Sequence, residues 1–594
     1  MREGSRGSRN RLFAVLVLLA TGAGAAAWLF LRSAASRPVS LSSAPDVGEH
    51  SGRGFVDIAA AVGLTKPLSA GSPEKLLILE NIGSGAGMLD FDLDGRLDLF
   101  FANAGRIQGG KLYPGPGVTL YRQREDGRFD DATAPSGIRF DGWATGVAVG
   151  DIESDGDPDI FIGALGPPLL WRNEGDGTFT ECARDAGFNE GGLASSAVFL
   201  DYDRDGLLDI YVARYVEFDF ARLPNGGKPC IEKSVPISCG PSMHRPLPHL
   251  LYRNKGGGRF EEVSHQAGMG RQENPYGLGA ASADIDGDGW PDIYAANDTA
   301  ANFLWRNQGD GTFEDIALET GCALGDSAQA QSGMGIDIAD SSGDGRPDIF
   351  VSNYTEELNS YWENLGAGGY VSRVHSSGLA DGAYLALGWA AKFLDYDQDG
   401  GLDLFVVNGH VHPRARDLNP SWSYEQSILF YRGDGRGRFR RVDSTLGPDI
   451  ARPRAHRSAA VGDIDHDGDL DIAITVLDAP PVLLQNRSGR VGQAIVIRLR
   501  GVASNREGIG AKVEVEMGGA LAVREVSRGG GYLSSSDAAA HFGLGGRAGA
   551  DGVRILWPSG RIDKLGPLPG GATYWIEEGG RTIAEIPHKS SREP

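Results

Sequence analysis

The 594-residue chain is short of positive charge. Its 57 Lys and Arg stand against 79 Asp and Glu, a formal net charge of −22. That balance argues against nucleic acid and anionic membrane surfaces as partners. Cysteine is scarce, at Cys182, Cys230, Cys239 and Cys322, and no C-x-x-C occurs, so zinc-ribbon and thioredoxin-like readings fail. Histidine is scarce too, with 11 residues, and no G-x-S-x-G, H-E-x-x-H or P-loop sequence is present. Proline is at its ordinary level and no period of three runs through the chain, which removes a collagen-like reading. Glycine, at 88 residues, is about twice its usual share. Spread among Val, Ile, Phe and Tyr, it points to many tight turns between short strands.

One long hydrophobic run exists. Residues 12–31, LFAVLVLLATGAGAAAWLFL, carry no charge and are long enough for a bilayer core. Arg2, Arg6, Arg9 and Arg11 precede the run, which favours a cytoplasmic stub (1–11), a transmembrane signal-anchor (12–31) and export of the remainder. A signal peptide cleaved near the AGAAA stretch, giving a secreted protein, is the other reading. Residues 32–51 read as a linker.

The acidic residues are not in solvated runs. The pattern D-x-D-x-D-G-x-x-D occurs seven times, at intervals of about 50 to 80 residues. We number these loops 1 to 7. Positions 1, 3, 5 and 9 are Asp90, Asp92, Asp94 and Asp98 in loop 1; Asp151, Glu153, Asp155 and Asp159 in loop 2; and Asp201, Asp203, Asp205 and Asp209 in loop 3. They are Asp284, Asp286, Asp288 and Asp292 in loop 4, and Asp340, Ser342, Asp344 and Asp348 in loop 5. Loop 6 has Asp395, Asp397, Asp399 and Asp403, and loop 7 has Asp463, Asp465, Asp467 and Asp471. Carboxylates at alternate positions of a tight loop can converge on one hard cation, with Gly at position 6 allowing the turn and a backbone carbonyl at position 7 as a further ligand. These residues are the expected ligands of up to seven structural Ca²⁺ ions. Mg²⁺ keeps its waters and prefers fewer protein ligands. Metal-free Asp-Gly turns would leave several carboxylates in mutual repulsion. An EF-hand would need flanking helices, whereas IFIGA, IYVAR, IYAAN and IFVSN follow the loops and are strand material. Glu153 is longer than Asp but still a ligand; Ser342 is weaker and neutral, which leaves loop 5 the most doubtful site.

Each loop lies between a small-residue strand, such as GVAVGD, and the hydrophobic strand just quoted. A third strand follows, such as LLWRNEGDGTF (169–179) or FLWRNQGDGTF (303–313), and its Gly-rich turn leads to a fourth, such as TFEDIA (312–317). Four antiparallel strands per repeat make a propeller blade. The seventh repeat stops after PVLLQNRSGR (481–490), while an unattached fourth strand, GFVDIAAAVGL (54–64), stands at the front of the chain. The expected fold is all-β: a seven-bladed β-propeller over 52–489, closed by the N-terminal strand, with a small sandwich-like β-rich domain over 491–588.

The repeats resemble the FG-GAP or VCBS propeller repeats of integrin α-subunits and bacterial surface proteins. SNREGIGAKVEV (504–515), GGGYLSSSD (529–537), HFGLGG (541–546) and LWPSGRID (556–563) together resemble the ASPIC/UnbV domain. The combination is similar to the cartilage acidic protein family, and the resemblance implies an exported calcium-binding architecture. It supplies no catalytic residues. The GGGYLSSSD stretch is expected to be a structural turn, with a binding edge as the alternative.

Cys230 and Cys239 sit in one Pro-rich insertion, where their spacing suits a local disulfide of an exported protein; two buried free thiols are the alternative. His410 and His412 open one insertion (410–427), and His244 and His249 lie in another (211–250). Either loop stabilisation or a role at a site would account for these histidines. Arg432-Gly433-Asp434 spells an adhesion tripeptide but falls where other repeats carry N-x-G-D-G. The favoured function is a monomeric surface interaction, adhesion or scaffold module with a protein or glycan ligand on a propeller face. A polysaccharide lyase or hydrolase and an accessory factor of a biosynthetic pathway are the alternatives.

Overall fold

The computed structural model describes residues 54–108, 111–113, 115–488 and 492–589. The expected anchor at 12–31 and the linker up to residue 51 lie outside the described residues. Among the described residues, no helix is long and apolar enough to cross a membrane.

Seven four-stranded antiparallel sheets follow one another along the chain, each with one aspartate loop between its first two strands. The first strands, beginning with Ala86–Leu89 in sheet 1 and Ala144–Gly150 in sheet 2, are almost wholly buried and rich in Gly, Ala and Ser. Each touches the next, and His456–Gly462 of sheet 7 touches Ala86–Leu89 of sheet 1. Small side chains are required at these contacts. A Cβ on Gly146 would lie 2.0 Å from the Ser195 carbonyl oxygen of the next sheet. The last sheet is completed from the front of the chain, where Phe55–Asp57 pairs antiparallel with Val482–Asn486 in the register Phe55↔Asn486. Phe55 is fully buried against Phe430 and Tyr396 of sheet 6, a burial that stabilises the join by about 2–3 kcal/mol.

After residue 492 two further four-stranded sheets face each other. One orders Ala540–Gly543, Ala494–Arg500, Ala572–Glu577 and Arg581–Pro587, with a parallel pair at its centre. The other orders Ala520–Glu525, Lys512–Met517, Gly552–Leu556 and Ile562–Leu565. The strand period of two explains their shared core. In AIVIRLR, Ile495, Ile497 and Leu499 point inward, and Arg498 and Arg500 point out.

The stretch 529–537 is neither a surface turn nor an exposed edge. It runs into the centre of the ring of sheets, with Tyr532 and Leu533 in the main apolar cluster. Its backbone bonds the first strands directly. Met88 N–H donates to the Ser535 carbonyl (3.0 Å), Val147 N–H to that of Leu533 (3.0 Å) and Ile336 N–H to that of Gly531 (2.7 Å), while Asp537 N–H donates to the Val461 carbonyl (3.0 Å). The Tyr532 ring packs on Trp389 of sheet 6 at 4.9 Å, and its hydroxyl donates to the Ile82 carbonyl. Gly530 and Gly531 both adopt left-handed φ, +84° and +72°, which lets the chain fold back on itself inside the ring. Local sequence reads this stretch as a turn because its glycines and serines carry no apolar pattern. The backbone bonds that draw it inward come from residues more than 50 positions away.

Candidate metal centres

All seven loops share one backbone. Position 6 is glycine with φ between +84° and +105° (Gly95, Gly156, Gly206, Gly289, Gly345, Gly400, Gly468). Position 4 is left-handed as well, and in five loops it is not glycine: Leu93, Ser154, Arg204, Gln398 and His466 have φ of 55–61°. The sequence pattern did not reveal this second reversal, because residue identity at position 4 varies freely. A non-glycine residue in that region costs free energy and persists where the surroundings enforce it.

The enforcing bonds come from the carboxylates. In loop 1, Asp94 N–H (3.0 Å) and Gly95 N–H (2.8 Å) donate to the two oxygens of Asp90, and Arg96 N–H donates to Asp94 Oδ1 (3.0 Å). Asp98 accepts from Phe91 N–H (3.1 Å) and from Gln123 N–H of the third strand (2.7 Å). Loop 2 repeats this with Asp151 and Asp159, and loop 7 with Asp463 and Asp471. Position 9 therefore ties the loop to its own sheet.

Position 3 is different. One oxygen is held outward by a side chain of the third strand: Asp92 by Arg122 (2.5 Å), Asp203 by Arg253 (2.6 Å), Asp465 by Gln485 (2.5 Å). The other oxygen of each is buried and has no hydrogen-bond partner, as is one oxygen of Glu153 and the hydroxyl of Ser342. Leaving a buried acceptor unsatisfied costs about 1–3 kcal/mol, more for a charged group. In five loops at least three carboxylates bring an oxygen within 4.8 Å of one another: Asp90, Asp92 and Asp98; Asp201, Asp203 and Asp209; Asp284, Asp286 and Asp292; Asp395, Asp397 and Asp399; and Asp463, Asp465 and Asp471. Loops 2 and 5, where Glu153 and Ser342 replace Asp, do not form such a triad.

Burial acts on the same groups. Desolvation pushes Asp90 and Asp397 up to about 6, Asp151, Asp201 and Asp348 to about 7, and Asp98 and Asp292 to about 8. Asp159, Asp209, Asp395, Asp403, Asp463 and Asp471 are also raised well above the usual carboxylate range, by burial first and by neighbouring carboxylates as well. The donor set, oxygen-only and convergent, fits a hard divalent cation of Ca²⁺ type.

A second set of residues joins the loops around the ring. The Asn of each N-x-G-D-G-like turn donates through Nδ2 to the position-2 carbonyl of the preceding loop: Asn173 to Phe91, Asn254 to Ile152, Asn307 to Tyr202, Asn364 to Ile285 and Asn486 to Tyr396, all at 2.8–3.0 Å. Gln123 does the same to Ile464. In sheet 6 the position is Gly433, and the Gly437 N–H to Ser341 carbonyl bond (3.1 Å) replaces it. The recurrence of Asn in the sequence was a usable signal for this contact.

The remaining sequence candidates separate from the loops. Cys230 and Cys239 form a disulfide across a hairpin, whereas Cys182 and Cys322 are free thiols. The histidines join none of the five carboxylate triads. His410 is buried, accepts from the His412 N–H through Nδ1 (3.0 Å) and stacks on Trp422 at 5.1 Å; burial lowers His410 to about 3 and His412 to about 4. His249 bonds the Tyr211 hydroxyl (2.6 Å), and His244 stacks on Phe218. Arg432 is engaged with Asp397 and Asp399, and Gly433 N–H with Asp403, so this tripeptide belongs to the repeat rather than to an adhesion surface.

The C-terminal sheets dock on the aspartate-loop end of the ring. Asp151 N–H donates to Glu507 and Asp284 N–H to Glu525, while Lys512 Nζ donates to Asp284 (2.6 Å). Arg204 donates to the Pro558 carbonyl (2.5 Å), Gly545 N–H to that of Gln398 and His541 to that of Gly468. Antiparallel order puts the connections between second and third strands, including the two insertions, at the opposite end.

A family model described as FG-GAP-like repeat matches residues 90–162, 154–212, 249–295, 284–351 and 395–474, together just over half the chain. One described as ASPIC and UnbV matches 501–583. Among curated proteins, cartilage acidic protein 1 of Xenopus tropicalis is 27% identical over 322 residues, 50% of this chain and 44% of its own length. That of Mus musculus is 27% identical over 329 residues, 51% and 45%. The match thus spans less than half the length of these relatives. Solved structures with some likeness include an Agrocybe aegerita lectin that recognises non-reducing terminal N-acetylglucosamine (18% identity, 68% of this chain and 94% of that one, TM-score 0.38). A rhamnogalacturonan lyase of Bacillus licheniformis is another (13%, 74% and 76%, TM-score 0.36). Scores this low carry no argument about ligand or activity.

Proposed function

The chain belongs to the FG-GAP-like repeat family, and on that premise we propose that it is an exported interaction module, a seven-bladed propeller braced by calcium in its aspartate loops and tethered through residues 12–31. The observation that supports it most is the set of buried, unpartnered position-3 oxygens on Asp92, Glu153, Asp203 and Asp465, each held on its other side by the third strand or by burial. A cation with six to eight oxygen ligands would satisfy them and offset the burial, and the mutual repulsion, that raise the loop carboxylates. The disulfide fits an oxidising compartment, where calcium is abundant.

Calcium has a second role in this reading. The same loops seat the C-terminal domain, and its 529–537 segment plugs the ring, so ordered loops hold two domains as one body. The end bearing the 215–249 and 409–427 insertions stays free for a protein or glycan ligand. Calorimetry on the full chain, with calcium and after exhaustive chelation, tests the calcium claim. A melting temperature at least several degrees higher with calcium is expected, and superimposable curves would sink it.

A further inference from the structure

A cleft of about 730 Å³ lies between loops 1, 2 and 7 and the outward face of the C-terminal sheet that holds Ala494–Arg500 and Ala572–Glu577. Strand alternation builds its wall. Arg498, Arg500, Thr573 and Trp575 project from one face of this sheet, opposite Ile495, Ile497 and Tyr574 in its core. The Trp575 ring is half-buried, with the Arg498 guanidinium 5.7 Å from its centroid. Three of the cleft's arginines are neutralised in place, Arg96 by Asp94, Arg498 by a two-pronged pair with Asp537 (2.9 and 2.6 Å) and Arg528 by Glu507 (2.6 Å). Three others are paired loosely or not at all. Arg506 donates only to the Gly501 carbonyl and, among the described residues, makes no ion pair; Arg500 and Arg581 reach Glu577 only at 4.0 and 3.9 Å. Besides Glu507 and Asp537, the acids lining the cleft are Asp90, Asp151 and Asp155, all members of loops 1 and 2.

We propose that this cleft binds an acidic oligosaccharide, one bearing carboxylate or sulfate groups. The inference rests on the calcium reading, because cations in loops 1 and 2 would neutralise Asp90, Asp151 and Asp155 and leave Arg506 without an ion pair and Arg500 and Arg581 sharing the single, distant Glu577. Guanidinium forks match carboxylate and sulfate geometry, and the indole supplies an apolar face for the C–H side of a sugar ring. The cleft has the size of a small-ligand site rather than of a protein interface. Loop occupancy and ligand capture are then coupled, with binding weakened when calcium is withdrawn.

The test uses the full chain in calcium, titrated with a size-defined heparin oligosaccharide, an oligogalacturonate, a neutral dextran oligosaccharide and poly-glutamate. Binding of at least one acidic saccharide is expected, with dextran and poly-glutamate at least tenfold weaker. The heparin and oligogalacturonate arms separate sulfate from carboxylate recognition. Arg500→Ala with Arg506→Ala should weaken binding at least tenfold, and Trp575→Ala should weaken the saccharide alone. No binding of either acidic saccharide, undiminished binding by the double variant, or equal binding of poly-glutamate would overturn the proposal. The calcium-dependent melting shift, read on the same samples, separates the two claims: a shift without saccharide binding sinks the cleft and leaves the loops, and the absence of any shift sinks the loops first.

Discussion

Loops 3 and 5 have the same turn and opposite electrostatic solutions. In loop 3, Asp203 is gripped by Arg253 on one oxygen and left unpartnered on the other, and three carboxylates converge. In loop 5, Ser342 stands in place of that Asp, no arginine approaches from the third strand, where Glu363 stands, and hydroxyls do the work. Ser341 Oγ donates to Asp348 (2.7 Å) and lies 2.9 Å from the Tyr361 hydroxyl. The backbone of the turn is therefore separable from its capacity for a cation. Position 9 and the two left-handed residues make the turn, and position 3 decides whether a charge must be supplied from outside.

The largest effect that would break this contrast is at position 9. Asp209→Ala removes the acceptor of the Tyr202 and Asn254 N–H groups, and the loss of two buried acceptors should cost about 3–5 kcal/mol by denaturant unfolding in calcium. In chelator the cost should be smaller, because a ligand is then no longer lost, whereas Asp348→Ala should cost the same in both. Equal calcium dependence of the two variants would erase the distinction.

The next effect is collective and depends on pH. Asp98 and Asp292 titrate at about 8 in the fold, and Asp151, Asp201 and Asp348 at about 7, against about 3.9 when unfolded. A raised folded value means that the fold prefers the proton. The associated stability is full below the unfolded value and is lost as pH rises through the folded one. The buried His249, His410, His412 and His456 are lowered to about 3–4, so they act only on the acid side of about pH 6.5. Between pH 6.5 and 8 the chelated protein should therefore lose melting temperature steadily, while the calcium-loaded protein should not. Parallel profiles would refute the link between burial of these carboxylates and the cation.

The smallest effect sharpens the comparison. Ser342→Asp supplies loop 5 with the missing carboxylate and should raise calcium stoichiometry by one in titration calorimetry, with a gain of about 1 kcal/mol in calcium and a loss of similar size in chelator. Unchanged stoichiometry would mean that Ser341 and Tyr361, not position 3, shape that loop.

Much of this was readable in the chain. The seven loops, the strands around them, the fourth strand stranded at the N-terminus and the 230–239 disulfide all rest on local patterns: alternate carboxylates, Gly at position 6, period-two hydrophobicity, close cysteine spacing. The Asn staples were visible too, as a repeated letter whose partner only the packed ring revealed. What stayed hidden depended on distant partners. Leu93 and His466 gave no hint of a left-handed backbone, because the Asp N–H bonds that enforce it are made only after the loop closes. The GGGYLSSSD segment gave no hint of burial, because its hydrogen-bond partners lie in sheets more than 50 residues away. The outward arginines of the 494–500 strand could be counted in the sequence, but not their position opposite the loops.

The sequence by itself thus determined the repeat, its oxygen-rich turns and the strand that closes the seventh sheet, since each follows from residue chemistry within about ten positions. The tertiary structure decided what those turns face: the C-terminal domain on one side, the plug through the ring, and a cleft whose charge depends on the loops. Those outcomes are contacts between segments far apart in the chain, and local propensity holds no information about which distant backbone groups a buried segment will meet.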